Sequence, residues 1–260
     1  MKRIFLLAAA LLLAACSSAP PAPPPPGVVA ALAPTGKLRV GVYPGSPSSM
    51  IKDPATGETR GLTYELGTEL AKRLGVPFEP VVYQRVAEVL EGIKAGTADV
   101  TVTNATPARA KDIDFSPTLM EVELGYLIPP GSRVASATGI DRPGIRVGVS
   151  QGGTSHAALT REMKHATVVP TPSVKAATDM LKAGTLDVFA TNKGILFEIA
   201  DGIPGAKVLA GNWGLEHFAF GIPRGRENGA AFMRTFTEEV KSKGQLKRAV
   251  QRAGLRGAVQ

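Results

Sequence analysis

The chain repeats itself, and that constrains its fold more than any other feature. Residues 89–104 read VLEGIKAGTADVTVTN, and residues 177–192 read ATDMLKAGTLDVFATN. Eight of these sixteen positions are identical, where unrelated segments would share about one. A shorter match precedes each: Arg39-Val40-Gly41-Val42 and Arg146-Val147-Gly148-Val149. A Lys-Ala-Gly helix ending is common alone, but two matches in the same order indicate a duplicated α/β unit.

Within each unit, hydrophobic spacing predicts alternating strands and helices. The first half reads as strand 37–43, helix 63–74, strand 79–83, helix 86–95 and strand 99–103. The second reads as strand 145–149, helix 154–164, strand 166–169, helix 173–183 and strand 187–191. Leu66, Leu70 and Leu74 share one helical face, with Gly75 as the stop. Ser173 is the expected cap of its helix. Such alternation gives a mostly parallel sheet in each half, with ligands at the carboxyl ends of strands. Asn104 and Asn192 fall at equivalent strand ends. Segments 124–128 and 218–222 read as the crossings between halves, and helices 227–241 and 244–253 as packing back on the first lobe.

The N-terminus reads as a targeting segment. Lys2 and Arg3 precede an apolar run, Ile4 to Ala15. That is a signal-peptide pattern and is short for a bilayer span, which takes about 20 residues. The run ends Leu13-Ala14-Ala15-Cys16 and resembles the bacterial lipobox, which implies lipidation of Cys16. Residues 18–26, SAPPAPPPP, form an extended, semi-rigid spacer. The domain reading is therefore 1–15 signal peptide, 16–34 lipidated Cys and Pro-rich tether, 35–127 plus 219–260 lobe 1, and 128–218 lobe 2. The net charge of +8 would suit nucleic acid, but an extracytoplasmic address and 5% aromatic residues argue against it. The single cysteine excludes an intramolecular disulfide and a Cys-rich zinc site.

KLRVGV (37–42), GLTYELGTELAKRLGV (61–76), LEGIKAGTADVTVTNATPARAKDIDFS (90–116), IRVGVSQGGTS (145–155), LKAGTLDVFATN (181–192) and FAFGIPRG (218–225) occur in order. Together they resemble the bacterial extracellular solute-binding proteins of family 3, the polar amino-acid-binding components of ABC importers. The resemblance implies an α/β, two-lobed periplasmic-binding-protein fold of type II. Two mostly parallel sheets would be joined by two crossover strands and close on a small ligand by hinge motion. It also implies an ABC permease as partner and, with Cys16, a lipid-anchored monomer in the periplasm, the outer membrane being one destination.

The resemblance assigns site residues too. Arg109, in TPAR, matches an Arg that forks onto a ligand α-carboxylate, which suits a permanently charged guanidinium. Thr154 matches a Thr of the second Gly-rich loop. There the N–H groups of Gly153, Thr154 and Ser155 would suit an anion at a helix N-terminus. Asn104 stands where the family usually has Ser or Thr. Asn192 is the main departure: the family typically has Asp there, against the ligand's ammonium. Ser46, Ser48 and Ser49 occupy a loop where an aromatic residue often stacks on the ligand. The ligand is therefore an amino acid, a carboxylate or other anion without an amine, or a polar neutral molecule. In the first case another carboxylate, Glu121 or Glu216, would have to replace the Asp charge. Tyr43, Tyr83, His156 and Trp213 are further candidates for the cleft walls. Lys193 reads as solvated, and the basic C-terminal segment as a solvated face.

Two catalytic patterns are missing: there is no phosphate-binding loop and no HExxH. No cofactor and no metal are expected. Periplasmic cyclohexadienyl dehydratases resemble the same fold, so an enzyme of that kind is one alternative and a lipoprotein sensor another. An acid would be needed in the cleft for the former. The expected activity is ligand binding rather than catalysis.

Overall fold

The computed structural model describes residues 23–25 and 27–259. Cys16, the signal segment and most of the proline run lie outside the described residues. The chain runs α1 (Val28–Leu32), β1 (Leu38–Val42), β2 (Ile51–Lys52), β3 (Thr59–Arg60), α2 (Leu62–Leu74), β4 (Phe78–Val82), α3 (Val86–Lys94), β5 (Thr101–Asn104), β6 (Ile113–Phe115) and β7 (Met120–Ile128). Then come β8 (Arg146–Ser150), α4 (Thr154–Glu162), β9 (Thr167–Thr171), α5 (Val174–Lys182), β10 (Val188–Asn192) and α6 (Lys193–Asp201). The last elements are β11 (Lys207–Val208), β12 (Gly214–Pro223), α7 (Glu227–Ser242), α8 (Gln245–Ala253) and β13 (Ala258–Val259).

Local chemistry explains the helix ends. Leu62, Leu66, Leu70 and Leu74 of α2 are all buried, a four-residue repeat that lays one stripe on the sheet. Gly75 ends the helix at φ 69°, a left-handed cap suited to glycine. At α5, the Ser173 hydroxyl accepts from the Ala176 N–H and caps the first turn.

In the sheets, β1 pairs with β4 in parallel and reaches the segment before β5 through the Val40–Val100 bridge. The larger sheet runs β5-β12-β7-β10-β8-β9. Its β10-β8 and β8-β9 pairs are parallel, whereas β5-β12, β12-β7 and β7-β10 are antiparallel. The crossovers are therefore strands of one mixed sheet, where the sequence suggests two mostly parallel ones. They also begin earlier than 124 and 218: MEVE (120–123) alternates apolar and polar residues as half-buried strands do, whereas GLEH (214–217) alternates in burial with Glu216 inward and Leu215 and His217 outward. β7 supplies Val122 to a first core, with Leu38, Leu66, Phe220 and Phe236. It then supplies Leu127 and Ile128 to two clusters of the second half, around Phe189 and Val147.

Two expectations change here. The segment read as tether over 16–34 already folds at α1, whose Val28 and Leu32 are buried in the first core. Their i, i+4 spacing puts both on one face, in a run too short for periodicity to stand out. Helix α6 begins directly after Asn192, and Lys193, read as solvated, is largely buried. Its Nζ donates to Glu123 Oε2 at 2.6 Å.

Candidate functional site

The two equivalent strand ends do different work. At the end of β5, Asn104 Oδ1 accepts the backbone N–H of His217 at 2.8 Å and ties β5 to β12. At the end of β10, Asn192 Oδ1 accepts from Ile195 N–H at 3.2 Å, which caps α6. The Asn192 amide then donates from Nδ2 to Glu216 Oε2 at 3.2 Å. The other oxygen of Glu216 accepts from the Thr154 hydroxyl at the start of α4. Glu216, on β12, is 7% exposed.

These groups face one cavity. Tyr43, Asn104, Arg109, Gly153, Thr154 and Asn192 all line it, with Ser48, Thr103, Thr191 and Glu216 adding polar groups. Val86, Val102, Ile195 and Phe218 provide the apolar parts of the wall. The cavity is narrow, about 30 Å³. Arg109 opens a short 3-10 turn, Arg109–Lys111, just beyond β5. Its Nη1 donates to Thr103 Oγ1 at 2.9 Å and to the Asn104 carbonyl at 3.0 Å. Those bonds fix the guanidinium plane and leave its other N–H groups for a ligand.

The electrostatics are those of a dry site. Burial raises the Glu216 carboxyl above its ordinary value of 4.5, and bonds from Thr154 and Asn192 and the nearby Arg109 charge oppose that shift. Burial also lowers the Arg109 guanidinium below its ordinary value, opposed by Glu216. Tyr43 is raised by burial too, with Ser46 and Ser48 bonding its hydroxyl against that shift. The cavity thus holds one guanidinium and one carboxyl. Both oxygens of that carboxyl already accept hydrogen bonds.

Other sequence candidates lie elsewhere. Ser46 is fully buried behind the wall, bonded to Tyr43 Oη at 3.4 Å and Ser48 Oγ at 2.8 Å; Ser48 reaches the cavity instead. Ser49 accepts the Tyr43 N–H at 2.8 Å. Gly153 N–H is used within the loop, donating to the Ser150 carbonyl at 2.9 Å, so an anion could draw only on the first N–H groups of α4. His156 Nδ1 accepts from Gly152 N–H, Trp213 Nε1 donates to the Gly125 carbonyl, and Tyr83 pairs with Thr97. Of the two carboxylates, Glu121 lies outward beside His217 at 3.1 Å, while Glu216 faces the cavity. Strand parity carries that signal. Glu216 is two residues before Phe218 and shares its inward face, whereas Glu121 sits between inward Met120 and Val122.

The two cores meet tightly around the cavity. Tyr43 extends from the end of β1 onto the apolar cluster of the second half. Gly45, at φ 85°, runs so close to Val174 that a Cβ there would lie 2.9 Å from its side chain. Gly152, at φ 73°, abuts Ala87 in the same way at 2.6 Å. Arg60 of β3 reaches Glu198 of α6 at 2.9 Å. Groups from both halves thus enclose the cavity.

Residues 38–254 match the family model for bacterial extracellular solute-binding proteins, family 3. The chain belongs to this family. Members of this family are the extracytoplasmic ligand-binding components of ABC importers, and this chain is one, with a small-molecule ligand and an ABC permease as partner. It is 25% identical over 224 residues to the ABC transporter glutamine-binding protein GlnH of Bacillus subtilis (strain 168), covering 84% of this chain and 81% of that protein. The structure of the solute receptor for L-cysteine of Neisseria gonorrhoeae superposes with a TM-score of 0.78 at 26% identity, over 87% of this chain and 93% of the receptor. The ancestral amino-acid-binding protein AncCDT-1, described as a precursor of cyclohexadienyl dehydratase, superposes with a TM-score of 0.74. At 23% identity over 84% of this chain and 95% of that one, it shares the fold.

Proposed function

We propose that this family 3 protein binds an α-amino acid, with Arg109 on the carboxylate and Glu216 on the ammonium. The observation that supports this best is the buried Glu216 carboxyl in the same cavity as Arg109. A buried ammonium without a counter-charge costs several kcal/mol. Asn192 cannot supply that charge, but it holds the residue that does. Were Asn192 an Asp, two carboxylates would face each other at hydrogen-bond distance. Moving the charge to β12 while keeping a cap and an amide donor at the end of β10 is a self-consistent exchange. Thr154, Asn104 and the first turn of α4 complete the polar ring. The relatives named for glutamine and L-cysteine accord with an amino acid as ligand.

Lobe 1, residues 35–127 plus 219–260 together with α1, and lobe 2, residues 128–218, would close on that ligand, with β7 and β12 as the hinge. Closure then shifts a population toward the enclosed form. We also place the protein as a monomer on a membrane through lipidated Cys16, delivering ligand to its permease. Binding without turnover fits Glu216 better than catalysis does. Both of its oxygens accept hydrogen bonds, whereas a general acid must aim its O–H at the substrate.

A thermal-shift panel on the refolded, ligand-stripped full chain tests this reading. Amino acids at about 100 times their dissociation constant should stabilise it by about 2.7 kcal/mol. Stabilisation by amine-free acids alone would refute the assignment of Glu216.

A further inference from the structure

Helix α6 is held by both halves of the protein. Its apolar side, Ile195, Leu196 and Ile199, is buried in the second-half cluster around Phe189. Phe197, Glu198 and Asp201, at positions i, i+1 and i+4, form another side of the same helix. Two arginines of the first half grip that side. Arg60 of β3 donates from Nη2 to both oxygens of Glu198, at 2.9 and 3.0 Å, and from Nη1 to the Ala253 carbonyl at the end of α8. Arg256 donates to both oxygens of Asp201, at 3.3 and 2.5 Å, and its guanidinium lies 4.8 Å from the centre of the Phe197 ring. Arg256 belongs to the segment after α8, which starts at Leu255 in the first core and continues into β13. The Gly257 carbonyl on that segment accepts the Glu123 N–H at 2.8 Å, so the segment runs along β7. It is a third link between the halves, beside the two crossover strands.

Resting on the reading that the two halves close on a ligand, we propose that Arg60 and Arg256 are positioning residues for binding. They clasp α6 in the closed form, raise the population of that form without ligand, and so tighten binding. Neither lines the ligand cavity. The clasp acts through the helix. At its near end Asn192 caps α6 and donates to Glu216, so the ligand site and α6 are joined end to end. Also near that end, Gly194 sits so close to Leu255 that a Cβ would run into its side chain, which makes this contact the pivot. Glu198 and Asp201 lie four and seven residues further on, about 6 and 10 Å along the helix. Parting of the halves about β7 and β12 moves that far end most and breaks both clasps. A closure bias treats every ligand alike, because the binding-competent fraction scales each dissociation constant by the same factor. Each clasp is partly exposed and is worth at most about fivefold, and two independent ones multiply.

The test is small-angle X-ray scattering of the ligand-stripped full chain, followed by calorimetric titration with glutamine, cysteine, arginine and propionate. Both are run on the wild type, Arg60→Ala, Arg256→Ala and the double variant. Without ligand, the double variant should have a larger radius of gyration than the wild type. Every probe that binds the wild type should bind each single variant about two- to fivefold more weakly, by the same factor for each probe. The double variant should lose the product of the two factors. Glu198→Ala should match Arg60→Ala, and the two together should lose no more than either alone, because they break one pair. An unchanged radius with unchanged affinities overturns the clasp. A loss confined to one probe also overturns it, since that places the arginines in ligand selection. Propionate as the only binder refutes the amino-acid reading, and its factor in the variants then decides the clasp. The scattering comparison needs no ligand, so it decides the clasp independently of the amino-acid reading.

Discussion

The two halves of this protein repeat one anchoring motif bond for bond and part ways at the site. In the first half, Arg39 donates its N–H and Nε to Asp99 Oδ2 and its Nη2 to Asp99 Oδ1 and the Gly96 carbonyl. In the second, Arg146 makes the same four bonds to Asp187 and the Gly184 carbonyl. The repeated Lys-Ala-Gly-Thr-x-Asp-Val is therefore a repeated piece of construction: the Gly ends a helix, and the Asp anchors the strand that begins each half. Asn104 and Asn192 end equivalent strands in these frames, yet one ties a neighbouring strand and the other caps a helix and holds Glu216. Duplication preserved the parts that set geometry. The chemistry came from what each strand end happened to face.

The largest effect expected from this comparison is on stability. Asp99 is completely buried and is also bonded by Arg226 at 3.0 Å, while Asp187 is partly exposed and has Arg133 only at 3.6 Å. Asp99→Asn leaves two partly buried guanidinium groups short of their buried counter-charge and should cost about 3–5 kcal/mol in urea unfolding. Asp187→Asn should cost clearly less, and equal losses would show that the duplicated pairs are energetically alike despite their different burial.

Next in size is a loss of binding. Arg109→Ala removes the only cation lining the cavity among the described residues and should weaken an amino-acid ligand by about 2–5 kcal/mol. Competition binding would show it, and unchanged affinity would remove the carboxylate assignment.

The smallest effect is on pH dependence. Burial raises the Glu216 carboxyl above its ordinary 4.5, so the folded, ligand-free protein holds this proton more tightly than the unfolded chain. The stability this contributes is fully present below the unfolded value and is lost as pH rises through the folded one. Ligand affinity runs the other way and weakens as pH falls through the folded value, because the neutral carboxyl gives an ammonium no counter-charge. Glu216→Gln should flatten both trends; trends that persist in that variant would assign them to another group.

Much of this was legible in the sequence because the repeat fixed the frame. The helix ends at Gly75 and Ser173 and the strand ends at Asn104 and Asn192 can be read from residues alone, and the departure from the usual Asp follows from the resemblance to the family. Arg109 follows from the TPAR run that resembles the family. Glu216 was harder, because two glutamates sit on the crossover strands, and only the inward parity set by Phe218 separates it from Glu121. The missed α6 begins without a break after β10, and its cap, Asn192, reads equally well as a ligand contact. Lys193 looked solvated because a lysine beside a strand end usually is. Its burial depends on Glu123, seventy residues away in the chain, and no local pattern reports such a pairing.

The central claim is that the ammonium charge has moved from the end of β10 to Glu216 on β12. Calorimetric titration of the wild type and Glu216→Gln with the amino acid that stabilises the protein most in the thermal-shift panel, and with the same acid lacking its amine, tests it most directly. The account predicts that the wild type binds the amino acid over its amine-free counterpart, and that Glu216→Gln weakens the amino acid at least about thirtyfold, the low end of losing one member of a buried charge pair. The amine-free acid should be held as well or better by the variant, since the repelling carboxyl is gone. Binding of the amino acid to Glu216→Gln with wild-type affinity would contradict the account.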